Sequence, residues 1–106
     1  MYLSHAGYLS VTAADGLAGI EAAKRFSPDV VVMDLAMPRM DGIKATQALK
    51  RDSHTRHIPV ILLTGYPERA IGERGLEAGA DVFLTKPCLP EDLEGHIRRL
   101  LPSRRK

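Results

Sequence analysis

Cysteine is almost absent from this sequence. Cys88 is the only one among the 106 residues, so no intrachain disulfide can form. Disulfides persist in oxidising compartments, and an isolated thiol fits a reducing one. We therefore expect a cytoplasmic protein in which Cys88 is a small, partly buried apolar residue.

Tryptophan and long apolar runs are also missing. Aromatic residues make up 5% of the chain, too few to form platforms on which nucleic-acid bases stack. No apolar run approaches the ~20 residues of a membrane-spanning helix, and the N-terminus lacks the basic-then-apolar pattern of a secretory signal. The sequence predicts a protein that neither spans a membrane nor binds nucleic acid directly.

The excess of positive charge is small. The formal net charge is +2, and three of the positive charges are Arg104, Arg105 and Lys106. A short solvated basic tail explains this better than a nucleic-acid surface. Residues 1–101 are enough for one domain with one core, and residues 102–106 form the tail.

What is present is an alternation of strand and helix patterns. Strands are predicted at 8–13, 30–34, 58–64 and 80–85, and helices at 16–26, 42–51, 67–78 and 90–101. Four successive strand–helix units predict a parallel sheet with right-handed crossovers, an α/β fold. Within the helices, Asp15 and Asp41 are expected to be caps, and Gly72 and Gly75 to weaken the third helix. Ahead of the first strand, Met1, Leu3 and Ala6 fit one helical turn.

Three of these strands deliver a polar side chain at their carboxyl ends. Asp34 ends the apolar run that begins at Val30, Thr64 ends the next, and Lys86 follows the last. In open parallel sheets, ligands bind at this edge. A carboxylate there can be a nucleophile toward a phosphoryl group, with Lys86 offsetting the developing negative charge and Thr64 donating to an oxygen.

The chain resembles the receiver domains of bacterial two-component response regulators. The matching stretches run along nearly the whole sequence: Gly7-Tyr8, Ala14-Asp15-Gly16, Pro28-Asp29, residues 33–42, residues 58–64, residues 77–81 and Lys86-Pro87. The resemblance implies an open, flavodoxin-like (CheY-like) parallel sheet with helices on both faces. It also implies a phosphorelay partner, either a sensor histidine kinase or a phosphotransfer protein, and a receiver that is not itself an enzyme.

The same resemblance assigns roles to individual residues. Asp34 would be the phosphoacceptor, Thr64 and Lys86 would contact the phosphoryl group, and Phe83 would be the switch aromatic. Mg²⁺ would be held by Asp34, by the backbone carbonyl of Ala36 and by an acidic pair.

That acidic pair is absent from this chain, as is the family's first strand with most of its first helix. We therefore expect a receiver truncated to four strands, with weak Mg²⁺ binding and impaired phosphorylation. In the family's strand order, 2-1-3-4-5, the absent strand would lie between residues 8–13 and 30–34. Because buried unpaired backbone groups cost about 1–3 kcal/mol each, we predict that these two strands close up and pair directly. A partly bare sheet face would favour self-association.

Two other functions fit some of the same residues. A non-phosphorylated receiver-like domain could keep the surface as a protein-interaction module. A phosphatase of the haloacid dehalogenase type also uses a strand-end aspartate, but it needs a second aspartate two residues later, where this chain has Ala36.

Overall fold

The computed structural model describes residues 2–3, 8–14, 16–35, 40–65, 69–86 and 88–101. The strands are β1 (Tyr2–Leu3), β2 (Leu9–Ala13), β3 (Val30–Leu35), β4 (Val60–Thr64) and β5 (Val82–Thr85). The helices are α1 (Gly16–Phe26), α2 (Met40–Arg51), α3 (Arg69–Glu77) and α4 (Pro90–Leu100). All four predicted strand–helix units are present, with boundaries shifted by a few residues.

The strands form one sheet in the order β1-β2-β3-β4-β5, and β2 to β5 are parallel. Strand β2 pairs directly with β3, from Ser10 opposite Val30 to Ala13 opposite Met33. The predicted closure is therefore confirmed, since no strand-wide gap separates the two. Asp29 reinforces the start of this pairing, because its Oδ2 accepts a 2.7 Å hydrogen bond from the backbone N–H of Leu9.

The predicted helical turn at the start of the chain is wrong. Tyr2 and Leu3 form β1, which runs antiparallel to β2 and pairs with Ser10 and Leu9. A strand at the edge of a sheet leaves one row of its backbone N–H and C=O groups unpaired. Strand β1 provides hydrogen-bonding partners for part of that row on β2. Met1 and Ala6 of the proposed turn lie outside the described residues.

Two separate apolar clusters show how the helices cover the sheet. One cluster joins Ala23 of α1 and Leu49 of α2 to Val31, Met33 and Leu62. The other joins Ile97 of α4 to Val30, Val32, Ile61 and Leu63. When consecutive strands are neighbours, right-handed crossovers place every connecting helix on the same face. Among the helices that the structure describes, α4, which follows the last strand, is the one that covers the opposite face.

The helix starts differ from the predicted caps. Helix α2 begins at Met40, so Asp41 lies in its first turn rather than before it; Asp15 is outside the described residues. Helix α4 begins after Leu89, which makes no side-chain capping bond. Glu91 and Asp92 in its first turn complement the helix dipole instead.

Gly75 has a packing role in α3. A Cβ atom at this position would lie 2.6 Å from Leu62 Cδ1, which is too close for an unshifted contact. The glycine costs ~1 kcal/mol of helix propensity relative to alanine, but it lets α3 approach β4 closely. No helix in the described segments is long and apolar enough to cross a bilayer.

Lys50 connects α2 to the strand starts. Its Nζ donates to the carbonyl of Ile58 at 2.8 Å and to Asp81 Oδ2 at 3.2 Å. Asp81 Oδ2 also accepts from the backbone N–H of Val60 at 2.8 Å. Because the Lys50 side chain is only 20% exposed, this network is shielded from much of the solvent. It links α2, β4 and the turn before β5.

Replacing Lys50 with methionine should lower the free energy of unfolding by about 2 kcal/mol, the value typical of lost hydrogen bonds to a charged group. Urea denaturation followed by circular dichroism would measure the change. Lys44→Met is the matched control, because Lys44 is exposed on the same helix. Equal effects of the two substitutions would show that the network does not stabilise the fold.

Candidate functional site

Strand β3 carries Asp34 to the carboxyl edge of the sheet. The four valine and methionine residues before it, 30–33, are at most 2% exposed, as expected for a strand buried on both faces. In the register, Asp34 lies opposite Leu63, and Leu35 lies opposite Thr64. Burial of the strand therefore holds the Asp34 backbone in place while its side chain reaches the partly open edge.

Lys86 comes to this edge from β5. Its backbone N–H donates a 2.7 Å hydrogen bond to the carbonyl of Thr64, which continues the β4–β5 pairing by one residue. Its Nζ lies 2.5 Å from Asp34 Oδ1. The structure thus brings together a carboxylate and an ammonium group from positions 52 residues apart in the sequence.

The two oxygens of Asp34 have different surroundings. Oδ1 is buried, and Lys86 is its ion-pair partner, but that contact is not aligned as a hydrogen bond and the described residues provide no other. The side chain as a whole is 38% exposed, so its open part lies toward Oδ2. One oxygen faces the cation and the other faces outward.

The other predicted site residues lie close to this edge in different environments. Thr64 is 1% exposed and pairs with Thr85 in the register. Phe83 is half-buried against the cluster under α1 and α2, and its Cδ1 is 3.9 Å from the position of a Cβ on Gly75 of α3. Ala36 lies outside the described residues. The sequence identified Asp34 and Lys86 as candidate site residues. It contains no pattern from which the different surroundings of the two carboxylate oxygens could be predicted.

The described residues offer few ligands to a Mg²⁺ ion. Mg²⁺ requires oxygen ligands in near-octahedral geometry, whereas no group of three or more His, Cys, Asp or Glu side chains that could hold a metal occurs in the described segments. The buried oxygen of Asp34 is already next to Lys86. A cation at Asp34 would have to compete with that ammonium group.

The structure thus has a parallel α/β sheet with a strand-end aspartate, a strand-end threonine and a lysine after the last strand, the arrangement expected of a receiver domain. Residues 1–98 match the family model of the response regulator receiver domain. The chain therefore belongs to the response regulator receiver domain family, whose members act in two-component signal transduction and generally bind Mg²⁺.

Individual relatives agree with this assignment. The chain is 38% identical over 99 residues to the DNA-binding dual master transcriptional regulator RpaA of Synechocystis sp., covering 93% of this chain and 41% of that protein. It is 44% identical over 89 residues to the response regulator PleD of Caulobacter vibrioides, covering 84% of this chain and 20% of that protein.

A solved structure shows the same fold. The receiver domain of a signal transduction histidine kinase from Syntrophus aciditrophicus superposes with a TM-score of 0.75 at 30% identity, and 92% of each chain is covered. The flavodoxin-like, CheY-like fold expected from the sequence is confirmed. The chain spans about two fifths or less of the length of the curated relatives described above.

The Lys86–Asp34 pair should contribute little to stability despite its short distance. Both side chains are more than a third exposed, at 39% and 38%, and such pairs typically contribute less than about 1 kcal/mol. A double-mutant cycle with Lys86→Gln, Asp34→Asn and the combined variant, measured by urea unfolding, would give the coupling energy. A coupling of about 3 kcal/mol or more would instead indicate a desolvated pair.

Proposed function

We propose that Asp34 receives a phosphoryl group from a sensor histidine kinase or a phosphotransfer protein. The observation that carries this proposal is the arrangement of the Asp34 carboxylate, with one oxygen beside Lys86 and the other facing outward. Such an arrangement suits nucleophilic attack on phosphorus from the open oxygen. The phosphoryl donor's leaving group departs as the new acyl phosphate bond forms.

Lys86 has two roles in this proposal. Before transfer, the charge of its ammonium group orients the Asp34 carboxylate. During transfer, the same charge offsets the negative charge that develops on the phosphoryl oxygens. Thr64, at the end of the neighbouring strand, is the hydroxyl that contacts the bound phosphoryl group, and Phe83 is the aromatic that responds to it. The chain accepts a group and does not turn over an external substrate, so it is not an enzyme, and we place it in the cytoplasm.

We also propose that phosphorylation of this 106-residue chain is inefficient. No group of three or more His, Cys, Asp or Glu side chains that could hold a metal occurs among the described residues, so a Mg²⁺ ion would have few protein ligands there. Among the described residues, Lys86 is the cation that contacts Asp34.

The second candidate is a non-phosphorylated interaction module. The direct contact between Lys86 Nζ and Asp34 Oδ1 favours it, because the pair satisfies the charge of both groups without a ligand. Its binding surface would be the sheet face that α4 covers alone, and a second copy of the chain is one partner that this face could take.

Incubation with acetyl phosphate and Mg²⁺ should label Asp34 only weakly, since one carboxylate binds Mg²⁺ poorly. Intact-mass spectrometry over time would measure the labelled fraction, and Asp34→Asn would be the control. Label that persists in Asp34→Asn would disprove the assignment of the phosphoacceptor. Complete absence of label in the unmodified chain would favour the interaction module, and rapid, saturating labelling would contradict the proposed impairment.

Switching in this family should involve the part of the fold that opens most easily. In this chain we expect it to be α3, which contains Gly72 and Gly75 and packs beside Phe83. Native-state hydrogen exchange should show lower protection for amides of α3 than for those of α2. Equal protection of the two helices would be evidence against α3 as the switch element.

A further inference from the structure

The positive charges of this chain are not spread evenly over the fold. Each connecting helix runs from the carboxyl edge of the sheet back to the opposite edge, where the strands begin. Helices α1 and α2 both have basic last turns, with Lys24 and Arg25 in one and Lys50 and Arg51 in the other. The loop before β4 adds Arg56, His54 and His57 at the same edge.

An ion-pair contact brings the ends of α1 and α2 together. Lys24 Nζ lies 3.8 Å from Asp52 Oδ2, which joins the end of α1 to the residue after α2. We use the name basic rim for the exposed basic side chains of these segments. They are Lys24, Arg25, Arg51, His54, Arg56 and His57. The rim lies at the end of the sheet opposite Asp34 and Lys86.

Negative charge near the ends of α1 and α2 is held by internal bonds. Elsewhere on this edge Asp81 is bonded to Lys50 and Val60, and Glu77 ends α3. Residues 24–29 and 50–59 carry five lysine or arginine side chains but only two carboxylates, Asp29 and Asp52. Asp29 accepts from the Leu9 backbone at 2.7 Å. The His54 backbone N–H donates to Asp52 Oδ1 at 2.8 Å and lowers the pKa of that carboxyl. Asp52 therefore stays charged and remains turned toward Lys24 and His54, while the arginines face solvent.

The few apolar side chains near the rim help to distinguish an anionic membrane from a nucleic acid as its partner. Stable binding to an anionic membrane needs apolar insertion in addition to positive charge. Phe26 is the large apolar side chain exposed next to the rim, at 37%, and the Arg25 guanidinium lies 5.4 Å from its ring centroid. Because Arg25 lies over the Phe26 ring, this ring is a poor membrane anchor and a poor surface for stacking a nucleic-acid base. A phosphate backbone needs neither insertion nor stacking.

We infer that the basic rim binds the phosphate backbone of a nucleic-acid duplex without reading its sequence. The net charge of the sequence led us to expect no direct nucleic-acid binding. Net charge, however, does not show where in the fold the charges lie. The interaction is independent of Asp34, because the rim and the phosphoacceptor edge are at opposite ends of the strands. Non-specific binding of this kind has dissociation constants of about 10⁻⁴ to 10⁻⁶ M and weakens steeply with salt.

Fluorescence anisotropy with a labelled 20-base-pair DNA duplex of arbitrary sequence, titrated between about 50 and 200 mM salt, tests this inference. The rim variant combines Arg25→Gln, Arg51→Gln and Arg56→Gln. The matched control combines Arg104→Gln, Arg105→Gln and Lys106→Gln, which removes the same formal charge from the tail. Circular dichroism melting would establish that both variants are folded.

We expect the rim variant to bind at least about tenfold more weakly at low salt, with a slope of log K against log salt that is shallower by about 2 to 3. The tail variant should change both quantities much less. Equal losses in the two variants would show that net charge alone is responsible and would overturn the inference. So would undetectable binding by the unmodified chain, or tighter binding to vesicles containing anionic lipid than to the duplex at the same salt concentration.

Discussion

The direct pairing of β2 with β3 is the constraint on which the rest of this structure depends. Strand β3 is apolar on both sides, so its backbone groups need hydrogen-bonding partners along both edges. Strand β4 supplies one edge and β2 the other. With both edges satisfied, β3 is held rigidly at the centre of the sheet. Asp34 therefore projects from a fixed backbone rather than from a loose strand end.

This pairing also determines how the helices are distributed. Because β2, β3, β4 and β5 follow one another in space as in sequence, the three connecting helices share one face. In the described part of the chain, α4 is the one helix on the other face. Tyr8 shows how α4 compensates: its hydroxyl donates to Glu94 Oε2, tying the helix to the start of β2. Ile97 of α4 and Leu101, the residue after this helix, also pack against the centre of the sheet.

The two ends of the strands have opposite chemical character. At the carboxyl ends, Asp34 and Lys86 pair with each other and leave one carboxylate oxygen facing outward. At the amino ends, the basic last turns of α1 and α2 meet around Asp52. The antiparallel course of helices and strands produces this separation, since basic residues favour helix C-termini and those termini all lie at one edge.

The sequence by itself determined the element order, the parallel sheet and the convergence of Asp34, Thr64 and Lys86, because these follow from local apolar periodicity and from the rule that parallel strands end at one edge. It also allowed the β2–β3 closure to be predicted, since unpaired backbone groups are costly. Only the tertiary structure decided that Tyr2 and Leu3 form a strand, that Gly75 is needed beside Leu62, that Lys86 contacts one particular oxygen of Asp34, and that distant cations form one rim. Each of these depends on distances between residues far apart in the chain, and local sequence patterns carry no information about such distances.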